Sequence, residues 1–335
     1  MKISLGRLPF LLLLVIPVLS GCGTLEREVR PVSTQVPAEK EYGLYSIVED
    51  TVWEGRIRVT GDVYVKEGAT LTIKPGTVIR FDTIEPKLEE QGGRNMFSVD
   101  TPYFPGAEII VKGRIIAVGT KDSPIVFTSS DKDAKPGSWG SINLLGSSGN
   151  IIEYCRISYA YNGIHNHASD AVVLNNVFTG NGTALSFKKA DFDRPCRMFI
   201  EHNTITGNLS GIAARNATVD IAFNDISGNE YYGIWLREGD NARITYNDIE
   251  RNGKGIYLYK AQPANISYNN IADNLEYNIA MAEDNPADMD AAWNWWGTVN
   301  PAEIQAKIFD RHQDESLGRV IFTPYLRDKV AGTVK

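Results

Sequence analysis

This sequence is poor in residues that cross-link or ligate: three cysteines and four histidines in 335 residues. It has no basic run, and its 34 Lys and Arg are outnumbered by 41 Asp and Glu, for a net charge of −7. That balance argues against a phosphate-tracking nucleic-acid surface. No apolar run is long enough to cross a bilayer comfortably, the longest extending from about Leu8 to Leu19. Amphipathic stretches of helical period are also missing, because beyond the first residues the apolar segments are only three to five residues long. What remains, 43% hydrophobic and 22% charged residues, describes a globular chain with room for one large or two ordinary domains.

The short apolar run follows Lys2 and Arg7 and ends in Leu19-Ser20-Gly21-Cys22, the layout of an export signal and not of a membrane span. These four residues resemble the bacterial lipoprotein signal, which implies cleavage before Cys22 and acylation of its sulfur. Each buried CH₂ of the acyl chains contributes about 0.8 kcal/mol, so two or three chains hold a protein on its membrane. Gly23 rather than Asp follows the cysteine, which in enteric-type bacteria implies the outer membrane over the inner. From Gly23 to about Tyr45 the chain is polar, charged and Pro-containing, as a tether is. Cys155 and Cys196 then remain, and both are expected as free, shielded thiols.

The rest of the chain is repetitive. Apolar leaders stand at Ile152, Val173, Ile200, Ile221, Ile244 and Ile266, spaced by 21, 27, 21, 23 and 22 residues. Three residues after each leader comes Cys155, Asn176, Asn203, Asn224, Asn247 or Asn269, and an Ile or Phe two further on. A second small or amide position follows at Ala160, Asn181, Asn208, Asn229, Asn252 and Asn274, then pairs such as Gly211-Ile212, Gly233-Ile234 and Gly255-Ile256. Short β-branched runs separated by Asn and Gly are strands joined by tight bends. Asn tolerates the left-handed conformation of such bends, and its amide both donates and accepts, so equivalent amides on successive coils can satisfy one another.

With these motifs the chain resembles a right-handed parallel β-helix of the pectate-lyase-like superfamily, an all-β solenoid with asparagine ladders. The segments at 61–81, 107–120 and 124–144 resemble the opening coils of such proteins, and 82–105 breaks the rhythm as an inserted loop. The expected organisation is a signal at 1–21, a lipidated tether at 22–45, opening coils at 46–151, regular repeats at 152–284 and a cap at 285–335. Trp293, Trp295 and Trp296 would cover the last coil, with a short helix from Pro301 to Asp310.

Strand alternation after each Gly-Ile pair gives two outward columns. One is His165, Ser186, Ala213, Trp235, Tyr257 and Ala280; the other is His167, Lys188, Arg215, Arg237, Tyr259 and Ala282. Asn166, Phe187, Ala214, Leu236, Leu258 and Met281 lie between them, facing inward. One face should therefore carry Lys188, Arg215 and Arg237 about 4.8 Å apart per coil, beside Trp235, Tyr257 and Tyr259. Aromatic faces stack on sugar rings and guanidinium groups fork onto carboxylates, so this strip is a candidate polysaccharide surface. Trp235 and Arg237, pointing outward, should not be needed for folding. The aromatic series Tyr154, His202, Phe223, Tyr246 and Tyr268 is expected as an internal stack.

The longest repeat adds Asp191, Asp193 and Arg194 beside Lys188. Polysaccharide lyases of the resembled superfamily bind Ca²⁺ through acidic clusters and use a basic side chain on a uronate, whereas glycosidases need two spaced carboxylates. The sequence has no adjacent Asp pair, no Gly-His-Gly, no Arg-Ile-Lys and no Asp-Pro-His-Asp. His165 and His167 form an i, i+2 pair without a visible third ligand. On fold alone the chain also resembles a periplasmic β-helix of copper-enzyme maturation, without an accompanying Met or Cys cluster. The reading that emerges is a lipid-anchored, non-catalytic envelope protein that presents a glycan-binding or structural face. The alternative is a lyase or hydrolase acting on an acidic glycan, with Ca²⁺ if it is a lyase.

Overall fold

The computed structural model describes residues 38–83, 107–188, 196–238, 241–282 and 284–333. Contacts divide the chain after Val36, and every described residue belongs to the second unit, Pro37–Lys335. Cys22, residues 84–106 with most of the insertion expected at 82–105, and the candidate residues Asp191, Asp193 and Arg194 lie outside the described residues.

The short β-branched runs form three parallel sheets of 10, 11 and 9 strands, in which each strand pairs with the strand three places on in the sequence except at the end of the second sheet, and a two-stranded sheet of Met289–Asp290 with Val320–Ile321 lies in the closing segment. Each coil thus contributes one strand to each sheet in turn, which makes a right-handed parallel β-helix. Stacking places equivalent residues in columns: Ile200, Ile221, Ile244 and Ile266 are register partners or neighbours in the third sheet, all at most 1% exposed. The first strand, Lys40–Tyr42, pairs with Ile57–Val59, so the solenoid begins inside the segment expected as tether.

Two asparagine ladders hold two corners of the coil. In the first, between the third and first sheets, Asn203 donates its side-chain amide to Asn224 Oδ1, Asn224 to Asn247 and Asn247 to Asn269, each at 2.9 Å. The ladder continues to Asn294 at 3.0 Å, within the Trp-rich closing segment. The second runs from Asn181 through Asn208, Asn229 and Asn252 to Asn274 at 2.9–3.1 Å. The left-handed residue is not the asparagine itself but the one before it. Tyr154, His202, Phe223, Tyr246, Tyr268 and Trp293 have φ between 48° and 62°. An L residue in this region carries a cost of roughly 1–2 kcal/mol, and the turn it makes swings the next side chain inward to the ladder.

The aromatic series at this corner lies on the outside, which corrects the internal stack expected for it. Tyr268 is 39% exposed, and His202, Phe223 and Tyr246 are half-buried. Neighbouring rings lie 5.1–5.4 Å apart at 7–17° to one another. Such pairs contribute about 0.5–1.5 kcal/mol beyond their burial, an amount comparable with the backbone cost. The faces between neighbouring rings of the stack cover one another.

The glycine of the Gly-Ile pairs serves close approach rather than turning. A Cβ on Gly255 would stand 2.5 Å from Asn278 O and 2.7 Å from Asn274 Nδ2, inside the second ladder. At the far end Trp296 is buried against Phe322, while Trp293 is 47% exposed. The helix α1 spans Pro301–Ala306, capped by Asn300 Oδ1, which accepts from Ala302 N–H at 3.1 Å. It is shorter than expected because Ile308–Phe309 joins the second sheet as its last strand.

Candidate functional site

The outer face of the second sheet carries the candidate strip. The two outward columns are register neighbours: His165, Ser186, Ala213, Trp235, Tyr257 and Ala280 in one, and His167, Lys188, Arg215, Arg237 and Tyr259 in the other. The residues between them, Asn166, Phe187, Ala214, Leu236, Leu258 and Met281, are at most 2% exposed and face the core. A third outward column, which the sequence reading missed, lies before the glycine: Ser141, Asn162, Thr183, Ser210, Tyr232, Lys254 and Tyr277.

Trp235, Tyr257 and Arg237 meet there with Tyr232 and Lys254. The rings of Tyr232 and Tyr257 stack at 5.0 Å and 12°, with Trp235 5.4 Å from Tyr232. The Arg237 guanidinium lies 4.3 Å above the Trp235 ring, and Lys254 Nζ lies 5.7 and 5.9 Å from the two tyrosine rings. Trp235 faces outward as expected and is half-buried, with its Nε1 buried without a partner. The strip is not an open cationic track. Arg215 pairs with Glu238 at 2.8 Å, Lys254 with Glu276 at 2.5 Å and Lys260, which lies over Tyr259, with Asp284 at 3.1 Å.

His165 and His167 touch, with Nε2 atoms 2.6 Å apart, and Asn162 Nδ2 lies 2.9 Å from His165 Nδ1. Burial, and then the neighbouring His167 and Lys188, hold His165 well below the usual imidazole range. His167 is only 4% exposed. Cys155 and Cys196 are free and buried, and burial pushes the Cys155 thiol far up. Of the candidates Lys188, Asp191, Asp193 and Arg194 only Lys188 is described, half-buried and in register with His167 and Arg215.

On the preceding coils the same face carries residues that the sequence reading did not single out. Asn143, the register partner of His165, donates to Glu108 Oε2 at 3.2 Å. Glu108, Ser141 and Asn143 are all 0% exposed. Asp62 lies one coil earlier, its Oδ2 3.5 Å from Tyr64 Oη. The signal available was a polar residue just ahead of each aligned aliphatic in "GDVYV", "AEIIV" and "GSINL".

Two families match segments of the chain. NosD, described as a periplasmic copper-binding protein, covers residues 125–289, and the pectate-lyase like beta helix domain covers residues 46–151. No curated protein matches the chain. Among solved structures, a mutant of the periplasmic alginate epimerase AlgG is similar at 13% identity and a TM-score of 0.44, over 83% of this chain and 76% of that one. Among the described residues no three His, Cys, Asp or Glu side chains gather to hold a metal ion. The two imidazoles that do meet are bonded to each other, and Cys155 stays a buried, protonated thiol. With its three parallel sheets and its asparagine ladders, the chain is a right-handed parallel β-helix repeat protein whose residues 46–151 match the pectate-lyase like beta helix domain.

Proposed function

We propose that this protein is a lipid-anchored cell-envelope β-helix that binds polysaccharide on the outer face of its second sheet without turning it over. The observation that carries this reading is the gathering of Tyr232, Trp235, Arg237, Lys254 and Tyr257 on two adjacent coils, outside the core and on register-aligned strands. Aromatic edges and half-exposed rings offer apolar contact to sugar C–H groups, and the cations offer donors to hydroxyl or carboxylate oxygens. The ion pairs with Glu238 and Glu276 temper the charge, so the face suits a glycan of low charge density better than a dense polyanion. The match to a periplasmic family supports an envelope location, and Cys22 within Leu19-Ser20-Gly21-Cys22 supports the anchor.

Affinity electrophoresis through gels containing single envelope or extracellular polysaccharides tests the binding face. Retardation by at least one polymer, reduced in Trp235→Ala, is expected; equal mobility of the two proteins in every gel refutes it. Incorporation of radiolabelled fatty acid in the producing bacterium tests the anchor, and a Cys22→Ala protein labelled as strongly as the parent refutes that part.

A further inference from the structure

The first coil of the solenoid carries a set of exposed apolar side chains that the fold does not call for. Its strands, Lys40–Tyr42, Tyr45–Ile47 and Thr51–Trp53, stand at the ends of the three long sheets, and no described strand pairs with their outer edges. The core closes there on aromatic rings. Trp53, 0% exposed, stacks on Tyr42 at 4.8 Å, and Tyr45, 46% exposed, lies 5.2 Å from Tyr42. In the same coil Leu44 is 83% exposed, Val48 72% and Val52 52%.

The register shows that these three places need not be apolar. Tyr45, Val63 and Ile109 align, so Leu44 is followed along the stack by Asp62 and Glu108, each one residue earlier. Ile47, Val65 and Val111 align likewise, so Val48 is followed by Lys66 and Lys112. Val52 pairs with Thr72. A lone exposed aliphatic is ordinary, but three of them beside a half-bare tyrosine, at places the next coil fills with Asp, Lys and Thr, mark a contact surface.

Three observations choose a lipid surface as the occupant. The chain reaches this coil, and not the Trp-rich end, from Cys22, and the sixteen residues from Gly23 to Ala38 span at most about 55 Å. Residues 38–54 hold five carboxylates, Glu39, Glu41, Glu49, Asp50 and Glu54, against Lys40 alone, which suits zwitterionic lipid better than anionic lipid. Tyrosine next to aliphatic side chains fits the boundary between headgroups and acyl chains. The backbone groups at the strand edges must keep water, which limits the contact to that shallow level.

We propose that the first coil is a membrane-docking surface, on which Leu44, Val48 and Val52, with Tyr45 beside them, enter the headgroup boundary of a zwitterionic bilayer. The proposal rests on the lipid-anchor reading and adds an orientation to it: the first coil faces the membrane and the Trp-rich end faces away. The acyl chains hold the coil near the bilayer, so individually weak apolar contacts suffice.

The acylated full-length protein, carrying one fluorophore, tests this on vesicles of phosphatidylethanolamine and phosphatidylcholine that contain nitroxide-labelled lipid. The dye is placed on Leu44→Cys, on Val48→Cys or, as reference, on Leu275→Cys, a site 73% exposed near the other end; Cys155 and Cys196 are buried and stay unlabelled. Flotation with the vesicles reports the anchor. In floated protein the dye at 44 and 48 should shift to the blue and be quenched several-fold more than at 275, and exchanging part of the lipid for phosphatidylglycerol should not deepen the quenching. Failure to float refutes the anchor and this contact with it. Flotation with equal quenching at all three sites leaves the anchor standing and overturns the docking surface. Self-quenching at Leu44 that rises with protein density, without quenching by lipid, also overturns it and places a second copy on this end. Protein without dye supplies the second measurement: Leu44→Asp with Val48→Asp should float as the parent does but exchange its amides over Leu44–Val52 several-fold faster on vesicles, and equal exchange in the two proteins overturns the proposal.

Discussion

Asn224→Ala is the most direct test of what holds the coils together. In the parent, Asn224 Nδ2 donates to Ile200 O at 2.8 Å, to Ala222 O at 2.9 Å and to Asn247 Oδ1 at 2.9 Å. Its Oδ1 accepts from the backbone and the side chain of Asn203, both at 2.9 Å. Truncation leaves the Asn203 backbone N–H buried without its acceptor, a cost of about 1–3 kcal/mol, and removes further bonds that contribute about 1 kcal/mol each. With the four other bonds the sum is about 5–7 kcal/mol, large against the 5–15 kcal/mol that holds a typical domain. Asn224→Asp should be worse at neutral pH, because a carboxylate oxygen would replace Nδ2 beside three oxygen acceptors. Part of that loss should return at acid pH, where a protonated carboxyl donates one bond. Because coils of a solenoid can open separately, the assay is amide exchange resolved by residue, read at Asn203 together with denaturant unfolding. Protection of Asn203 that survives Asn224→Ala, or a loss below about 1 kcal/mol, would show that the ladder follows the fold without stabilising it.

Three further outcomes follow from the same geometry. Leu236→Asp places a charge where exposure is 0% and should cost about 4 kcal/mol or more, whereas Trp235→Ala, at a half-buried site, should cost about 2 kcal/mol; urea melts giving the reverse order would mean the in/out phase is wrong. Gly255→Ala should destabilise by more than the roughly 1 kcal/mol of a conformational change alone, since its methyl meets Asn278 O at 2.5 Å, and a melting temperature equal to the parent's would refute the close-approach argument. His165 holds its proton less well folded than unfolded, so its contribution to stability is complete above pH 6.5 and is lost as pH falls below it, with a slope of at most about 1.4 kcal/mol per pH unit. Urea unfolding at pH 7.5 and 5.5 should therefore show a larger acid loss in the parent than in His165→Gln, and equal losses would contradict this.

The regular coils were legible because their punctuation is strict. An Asn at constant offset from an Ile gave both ladders, and the Gly-Ile pair anchored an alternation that placed Leu236 inside and Trp235 outside. The bend was misplaced by one residue, since Asn is the familiar left-handed residue but here the aromatic before it takes that conformation. Tyr232 and Lys254 were missed because they lie on the other side of the glycine from which the columns were counted. The polar group around Glu108 was missed for a different reason. Its coils lack ladder asparagines and are interrupted by the insertion, so no repeat aligned Asp62, Glu108 and Ser141 until the register of the strands did.

The aromatic residues of this chain show how one residue type serves two ends on one scaffold. At the corner of the coil His202, Phe223, Tyr246 and Tyr268 turn faces against one another, and the gain of those contacts offsets left-handed backbone. On the second sheet the register sets Trp235 beside Tyr257 but tilts the two rings by 40°, and Arg237 rather than another ring covers a Trp235 face. A guanidinium on a flexible stem can be displaced by a sugar that then hydrogen-bonds to it, whereas a stacked ring held by its own backbone cannot leave. The structural stack and the proposed binding strip therefore differ in what covers the ring faces, and not in how many aromatic residues align.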